Sequence, residues 1–501
     1  MEKLIRKINE SIKKNANTEF LLINLANRTL KRPYIEGEKI DIVFIFQSAS
    51  FWPSWESVWD ACNADDSFNP IMLLCDESIK EKTQFRTARK FLEEKNIPFE
   101  HVNDANIETI NPHIIVLHTP YDGHRPRYLY GKRLSALGYR IVYIPYGIEI
   151  SDIQKAREDH FTCGVTTASW RIYTFSKDII PYYKMFSPTG GEMVRSFGHP
   201  KFDYLNKKKF PSLPTEIIKK AKGRKVLLLK VHFPKKVNGK MITPPIGLYE
   251  FFLNSLTMYK NLFCIFMPHP KFYEELAKFR DVKKIKGMID NAENIIEYTG
   301  DDYRQVLVNC DYYIVDRSAL MIEAGITNKP ILYIKTALPE AMTAPVQKIV
   351  DSYYQAVTRK DIKKFIDDVV IPDNDPLKDR RRSIFESVIP PMSGKSGYNI
   401  KEDIKDSLST ESLKENNQQN TLLTSELKEY ITELYQMKES QDAIITIHKQ
   451  KVMNHLTYRV GKVMMECTRT PFGFFKIPFR IRKAHKEFNQ EQKMTKLQKR
   501  I

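Results

Sequence analysis

The chain has 501 residues, 42% hydrophobic, 11% aromatic and 28% charged, which is globular composition with room for two domains and an appendage. Its six cysteines (Cys62, Cys75, Cys163, Cys264, Cys310 and Cys467) form no C-x-x-C pair, so a disulfide framework and a cysteine zinc site are excluded and reduced thiols expected. The formal net charge is +18, and residues 449–501 carry most of it, with fourteen Lys/Arg against three Glu.

Residues 1–37 read as an N-terminal helical segment. MEKLIRKINESIKKN has no apolar h-region, and no run of about 18 uncharged apolar residues follows. The expectation is a cytoplasmic protein without a spanning helix.

From 38 to 212 short apolar runs alternate with helical stretches. Ile40–Phe46, Pro70–Cys75, Ile114–His118 and Arg140–Pro145 predict strands, with helices at Glu56–Asn63 and Lys80–Lys95. IDIVFIF is apolar throughout, as a strand covered on both faces should be. A second series runs from 213 to 408. Strands are predicted at Lys225–Val231, Leu262–Met267, Ile295–Tyr298, Tyr312–Val315 and Pro330–Ile334, and helices at Leu248–Tyr259, Tyr303–Asn309 and Ser318–Thr327. Two such series predict an α/β protein with two Rossmann-like parallel-sheet domains facing a cleft, and periodicity alone fits two independent domains equally well.

Residues 409–448 read as a polar linker, STESLKENNQQNT, and then a short coiled coil. Leu423, Leu427, Tyr430, Leu434, Met437 and Ile444 follow a 4-3-4-3-7 spacing, which predicts self-association or packing on the body. Residues 449–501 interleave Phe472, Phe474, Phe475, Ile477 and Phe479 with Lys and Arg, the pattern of an interfacial membrane anchor on an anionic surface. No nucleic-acid-reading motif accompanies the charge, so nucleic acid is not expected as a partner.

Two stretches carry chemistry. In DYYIVDRSALMIEAGITNKPILYI a predicted strand delivers Asp316, and Ser318 is expected to open a helix with Glu323 on its first turns. Free N–H groups there suit a phosphate, while Glu323 would reach ribose hydroxyls; alternatively Ser318 is simply a cap. MPHPKF places His269 and Lys271 directly after another strand, where α/β folds bind ligands. His269 would protonate a leaving phosphate or hydrogen-bond a pyrophosphate oxygen. On the first series, Asp122 and His124 follow a strand in TPYDGHRP, where D-G alone would also make a surface turn. Trp52, Trp55 and Trp59 would form either a sugar platform or a core cluster. No D-x-D pair suited to a nucleotide-sugar metal stands at a strand end, so no metal or cofactor is indicated; Asp301-Asp302 reads as an N-cap.

Taken together, these motifs resemble the CDP-glycerol glycerophosphotransferases, which make teichoic acids and related glycerol-phosphate polymers. The family block D-Y-S-S-x-x-F-D/E matches Asp316-Arg317-Ser318-Ala319-Leu320-Met321-Ile322-Glu323, followed by Asn328-Lys329-Pro330. The upstream family His matches His269. GHPKFDYL, residues 198–205, is similar to the segment joining the domains, and SGKSGYNIKEDI, residues 393–404, to the closing helix. The resemblance implies a GT-B fold, with a CDP-linked donor held by the second domain; the donor-binding candidates are Asp316, Ser318, Glu323 and Lys271 there and Gly147 on the first domain. The same resemblance implies an acceptor on the first domain. The family's H-G stands here as Tyr146-Gly147, and the second serine as Ala319. A phenol titrating near 10 is a poor base at neutral pH, so Asp122 or His124 is ranked ahead of Tyr146.

The function expected is transfer of glycerol phosphate, or a related group, to a membrane-linked surface glycan or capsule-like polymer, by an enzyme peripheral to the inner face of the cell membrane. The alternatives are a nucleotide-sugar glycosyltransferase on the same scaffold and a non-catalytic scaffold of a glycan-assembly complex.

Overall fold

The computed structural model describes residues 32–76, 87–205, 212–234, 236–237, 240–241, 246–278, 282–300, 302–336, 340–389, 394–415, 460 and 480–484. The chain divides into two compact units, 1–424 and 425–501. Of the second unit only residue 460 and residues 480–484 are described, so the coiled-coil stripe and nearly all of the basic aromatic tail lie outside the described residues.

The first unit holds two parallel sheets. The first has seven strands: β1 Ile40–Phe46, β2 Phe68–Leu74, β3 Glu100–His101, β4 Ile114–Leu117, β5 Arg140–Tyr143, β6 Arg171–Tyr173 and β7 Val194–Arg195. Their order is β3-β2-β1-β4-β5-β6-β7. After β8 Lys225–Val231 comes a two-residue ribbon, β9 Lys236–Val237 and β10 Lys240–Met241. The second sheet continues with β11 Leu262–Pro268, β12 Ile295–Glu297, β13 Tyr312–Val315, β14 Ile331–Ile334 and β15 Tyr354–Ala356. Its order is β12-β11-β8-β13-β14-β15. Both sheets therefore reverse their order beside their first strand, as doubly wound folds do.

Burial on both faces explains the unbroken apolar runs. Ile42, Phe44 and Phe46 of β1 pack with Trp52, Trp55 and Trp59 on one face, while Val43 and Ile45 join the cluster on the other. Trp52 and Trp55 are 2% and 1% exposed, so the tryptophans form a core cluster and no sugar platform. The Ser396–Glu415 helix leaves the second domain and returns to the first, where Ile400, Ile404 and Leu408 are fully buried in this same cluster. It is held there by Asp403, which accepts from Tyr173 Oη at 2.7 Å, and by Glu411, which pairs with Arg140 at 3.0 Å. Residues 409–415, expected as the start of a polar linker, are thus helical, and the rest of that stretch lies outside the described residues.

Other departures are local. The strands β3, β6, β7 and β15 are too short to stand out as apolar runs. The Lys80–Lys95 helix is described as Ala88–Glu94, its first part lying outside the described residues. Ser318 does not open its helix: Ser318 N–H donates back to the Asp316 carbonyl at 2.9 Å, and the helix runs over Leu320–Gly325.

Candidate functional site

Where strand order reverses, the loops leaving the two central strands part and open a crevice at their carboxyl ends. In the second domain that point lies between β8 and β13, and the residues leaving it are His232 and Asp316. In the first it lies between β1 and β4, and the residues leaving it are Gln47 and His118.

On the second domain Asp316 is fully buried. Its Oδ2 accepts from the His232 N–H at 2.7 Å and from Tyr249 Oη at 2.7 Å, while Oδ1 has no partner. Burial pushes its pKa up. The carboxylate therefore fixes the exit of β8, and its other oxygen is buried without a partner. The Ser318 Oγ is also buried without a partner. His269 leaves β11 with its N–H donating to the Val231 carbonyl at 2.9 Å, and its ring lies 4.9 Å from that of His232. Its Nδ1 accepts the Lys271 backbone N–H at 3.1 Å. Burial, with His232, Lys230 and Lys271 nearby, lowers its pKa to about 3. The ring is neutral at pH 7, and since Nδ1 is an acceptor the proton sits on Nε2. His269 thus offers a hydrogen-bond donor; in this state it has no spare proton for a leaving phosphate. Lys271 precedes the Phe272–Leu276 helix and acts on the ring through that backbone bond.

Glu323 has its own set of partners. It is buried, accepts from Lys201 Nζ at 3.2 Å and from Tyr303 Oη at 2.5 Å, and so spends its carboxylate inside the protein. Lys201 belongs to the segment joining the domains.

On the first domain, Asp122 Oδ1 accepts from Arg125 Nη2 at 2.7 Å and from the Gly131 N–H at 2.9 Å. A Cβ on Gly164 would stand 2.5 Å from its Oδ2, which shows how closely the loop is packed. His124 shares the Asp122–His124 turn, its carbonyl accepting from Gln47 Nε2 at 2.7 Å and its ring 5.2 Å from Tyr121. Tyr146 is partly buried, with its ring 4.3 Å from Phe51, and it hydrogen-bonds Tyr121. A Cβ on Gly147 would meet nothing within 4 Å. The Phe51 ring also lies tilted, 4.7 Å from that of His118, which is fully buried with neither ring nitrogen partnered.

Cross-domain bonds set these loops against one another. Arg317, beside Asp316, donates to Ser151 Oγ at 2.8 Å and to the Glu340 and Ala341 carbonyls at 2.6 and 3.0 Å. Ser151 forms an antiparallel bridge with Met342, just past Tyr146-Gly147. Glu56 of the first domain pairs with Arg304 of the second, whose guanidinium covers Tyr204 at 3.8 Å. The 198–205 segment ties the rest together. His199 Nε2 donates to the Pro145 carbonyl at 2.8 Å, Lys201 meets Glu323, and Asp203 accepts the Ser396 and Gly397 N–H groups at 2.9 and 2.8 Å.

Sequence reasoning missed Lys230, His232, Lys201 and Arg317. A lysine or histidine at the end of an apolar run, as in KVLLLKVH, was the available signal for the first two. Among the described residues, no group of three or more His, Cys, Asp or Glu is arranged to hold a metal, and no helix is long and apolar enough to cross a membrane.

Residues 391–500 match a family described as a domain of unknown function (DUF8374). No curated protein matches the sequence. Among solved structures, the S. aureus MnaA–UDP co-structure is 15% identical with TM-score 0.54, covering 74% of this chain and 97% of that one. The UDP-GlcNAc 2-epimerase from Neisseria meningitidis bound to UDP-GlcNAc is 12% identical with TM-score 0.50, covering 73% and 100%. The wall teichoic acid polymerase TagF is 12% identical with TM-score 0.46, covering 82% and 98%. The likeness to the first two is one of fold: two parallel α/β domains in a GT-B-like arrangement.

Proposed function

We propose that the protein is a transferase that binds a nucleoside-diphosphate-linked donor at the carboxyl ends of β8, β11 and β13. The observation that carries this is that the loops leaving these neighbouring strands carry polar groups not used up inside the fold. His269 offers Nε2–H, and the Ser318 hydroxyl and Asp316 Oδ1 are buried without partners. Unpaired buried polar groups are costly, so their presence at a strand-order reversal supports a site completed by a polar ligand. Structures of similar fold carry UDP or UDP-GlcNAc, which is consistent with a nucleotide donor.

Within that class, the 316–330 block, His269 and the 198–205 segment favour CDP-glycerol, with a membrane-linked glycan or polymer as acceptor. An acceptor hydroxyl would attack the β-phosphorus; the bond to the bridging oxygen breaks and CMP departs. His269 and Ser318 would hydrogen-bond the pyrophosphate. The acceptor proton would pass to a first-domain base, for which His124 is the better candidate because Arg125 already neutralises Asp122. The basic tail, 449–501, would hold the enzyme on an anionic membrane, and vesicle co-sedimentation with and without it, across a salt series, tests that part.

The donor test is incubation of the full-length protein with CDP-glycerol or UDP-sugars and a glycan acceptor. CMP release supports glycerol-phosphate transfer, and UDP release supports the nucleotide-sugar alternative. Failure to turn over either donor would favour the non-catalytic scaffold.

A further inference from the structure

We infer that Lys230 supplies the positive charge that meets the donor's pyrophosphate, an inference that rests on the nucleotide-donor reading above. A pyrophosphate brings several negative charges into a partly enclosed site, and hydrogen bonds from neutral groups leave that charge uncompensated. The sequence pointed to a helix start and His269 for this purpose. The structure gives neither: the Leu320–Gly325 helix is six residues long, and His269 is neutral. Of the other cations near the strand ends, Lys271 follows β11 beside His269 and remains a second candidate, while two are committed elsewhere. Lys201 is paired with Glu323, and Arg317 is spent on Ser151 and two carbonyls.

Lys230 occupies the penultimate position of β8, the central strand of its sheet. It lies in register with Met267 of β11 and Val315 of β13, so the chain reaches His269 and Asp316 immediately beyond its two neighbours. Along β8, Val226 and Leu228 share a face that packs with Leu320, Met321 and Ile322, and the alternation puts Lys230 on it. The electrostatic neighbours fit that placement: Asp316 and Glu323 act on Lys230, and Lys230 acts on His269. Glu323 is already neutralised by Lys201, and Asp316 takes its hydrogen bonds from Tyr249 and the His232 backbone. Among the described residues, no carboxylate lies within ion-pair distance of the Lys230 ammonium and no acceptor is hydrogen-bonded to it. Burial lowers its pKa to about 8 against the opposing pull of Asp316 and Glu323, and the residue is only partly covered, so its ammonium keeps charge to offer. An anionic ligand beside it would supply a counter-charge.

The test is calorimetric titration of full-length protein, Lys230→Met and Lys230→Arg with CDP, UDP, cytidine and uridine, each variant checked for folding by thermal melting. Lys230→Met should lose about 10- to 100-fold in affinity for whichever diphosphate binds, and stay within about twofold for its nucleoside. Lys230→Arg should recover part of the loss. Equal losses for nucleoside and diphosphate, or none for the diphosphate, would overturn the role of Lys230 while leaving the donor reading intact. A parent protein that binds none of the four probes overturns the donor reading, and the inference with it.

Discussion

Removing Lys201 asks whether Glu323 serves the donor or the fold. The two side chains are 6% and 3% exposed, with Nζ and Oε1 3.2 Å apart, and Tyr303 Oη donates to the other carboxylate oxygen. Lys201→Met would leave a buried carboxylate with one neutral donor, a loss of about 3–5 kcal/mol. That is a large part of the roughly 5–15 kcal/mol that holds a typical domain folded. Replacing both partners by apolar groups of similar size removes the stranded charge, so Lys201→Met with Glu323→Leu should cost less than Lys201→Met alone. The assay is urea unfolding of the two single variants and the double variant, with nucleotide affinity measured on the double. A coupling of at least about 2 kcal/mol, with affinity within a few-fold of the parent, is the expected result. Additive losses below about 1 kcal/mol each would refute the buried-pair argument. A stable double variant with sharply weakened nucleotide binding would return Glu323 to the ribose.

Three further outcomes follow from the structure. A chain ending at residue 390 should fail to fold while one ending at 415 folds: Ile400, Ile404 and Leu408 are fully buried, and at about 1.5–3 kcal/mol each their loss rivals total stability; soluble yield and circular dichroism decide it. Asp203→Ala should cost about 1–2 kcal/mol by removing the acceptor for two N–H groups at the start of the Ser396–Glu415 helix, read as a lowered melting temperature. Glu149 is fully buried, accepts from Thr174 and Tyr183, and has its pKa raised from 4.5 to about 7 by burial. Its folded pKa lies above its unfolded value, so the stability it contributes is present below about pH 4.5 and is lost as pH rises through 7, to a limit of about 3 kcal/mol. Glu149→Gln should flatten that decline in urea midpoints measured from about pH 5 to pH 8.

The fold was legible because strands buried on both faces announce themselves as apolar runs. β1 and β8 were read to the residue, and Tyr312–Val315 likewise, all of them at the centre of a sheet. Edge strands such as Glu100–His101 and Val194–Arg195 have two residues each and carry no such signal. His269 and Asp316 were legible because they end strong runs. The assignment of Ser318 as helix opener failed on a local detail: its N–H folds back to the Asp316 carbonyl, and this turn pushes the helix two residues later. Nothing in a single sequence pairs Lys201 with Glu323, or Asp203 with Ser396 and Gly397, positions more than a hundred residues apart. Lys230 was passed over because a lysine in an apolar strand reads as an edge residue until the sheet order puts it in the middle.

That same non-local bonding changes what the C-terminal region is. The family match covers residues 391–500, but its first helix is bound into the first α/β domain at atomic contact. A Cβ on Gly397 would stand 2.3 Å from the Ser57 carbonyl carbon, so helix and domain meet backbone to backbone and only glycine fits. Gly198, at φ +83°, would bring a Cβ within 2.9 Å of Ser396 Oγ, so the joining segment is tight against the same helix end. From Asp203 at that helix end it is two residues to Lys201, and from Lys201 one ion pair to Glu323, which follows the Asp316–Ser318 loop. His199, two residues earlier, holds the carbonyl just before Tyr146. A displacement of the Ser396–Glu415 helix would therefore be felt at both halves of the candidate site through bonded and buried groups. The helix, though inside the family match, is therefore part of the α/β body.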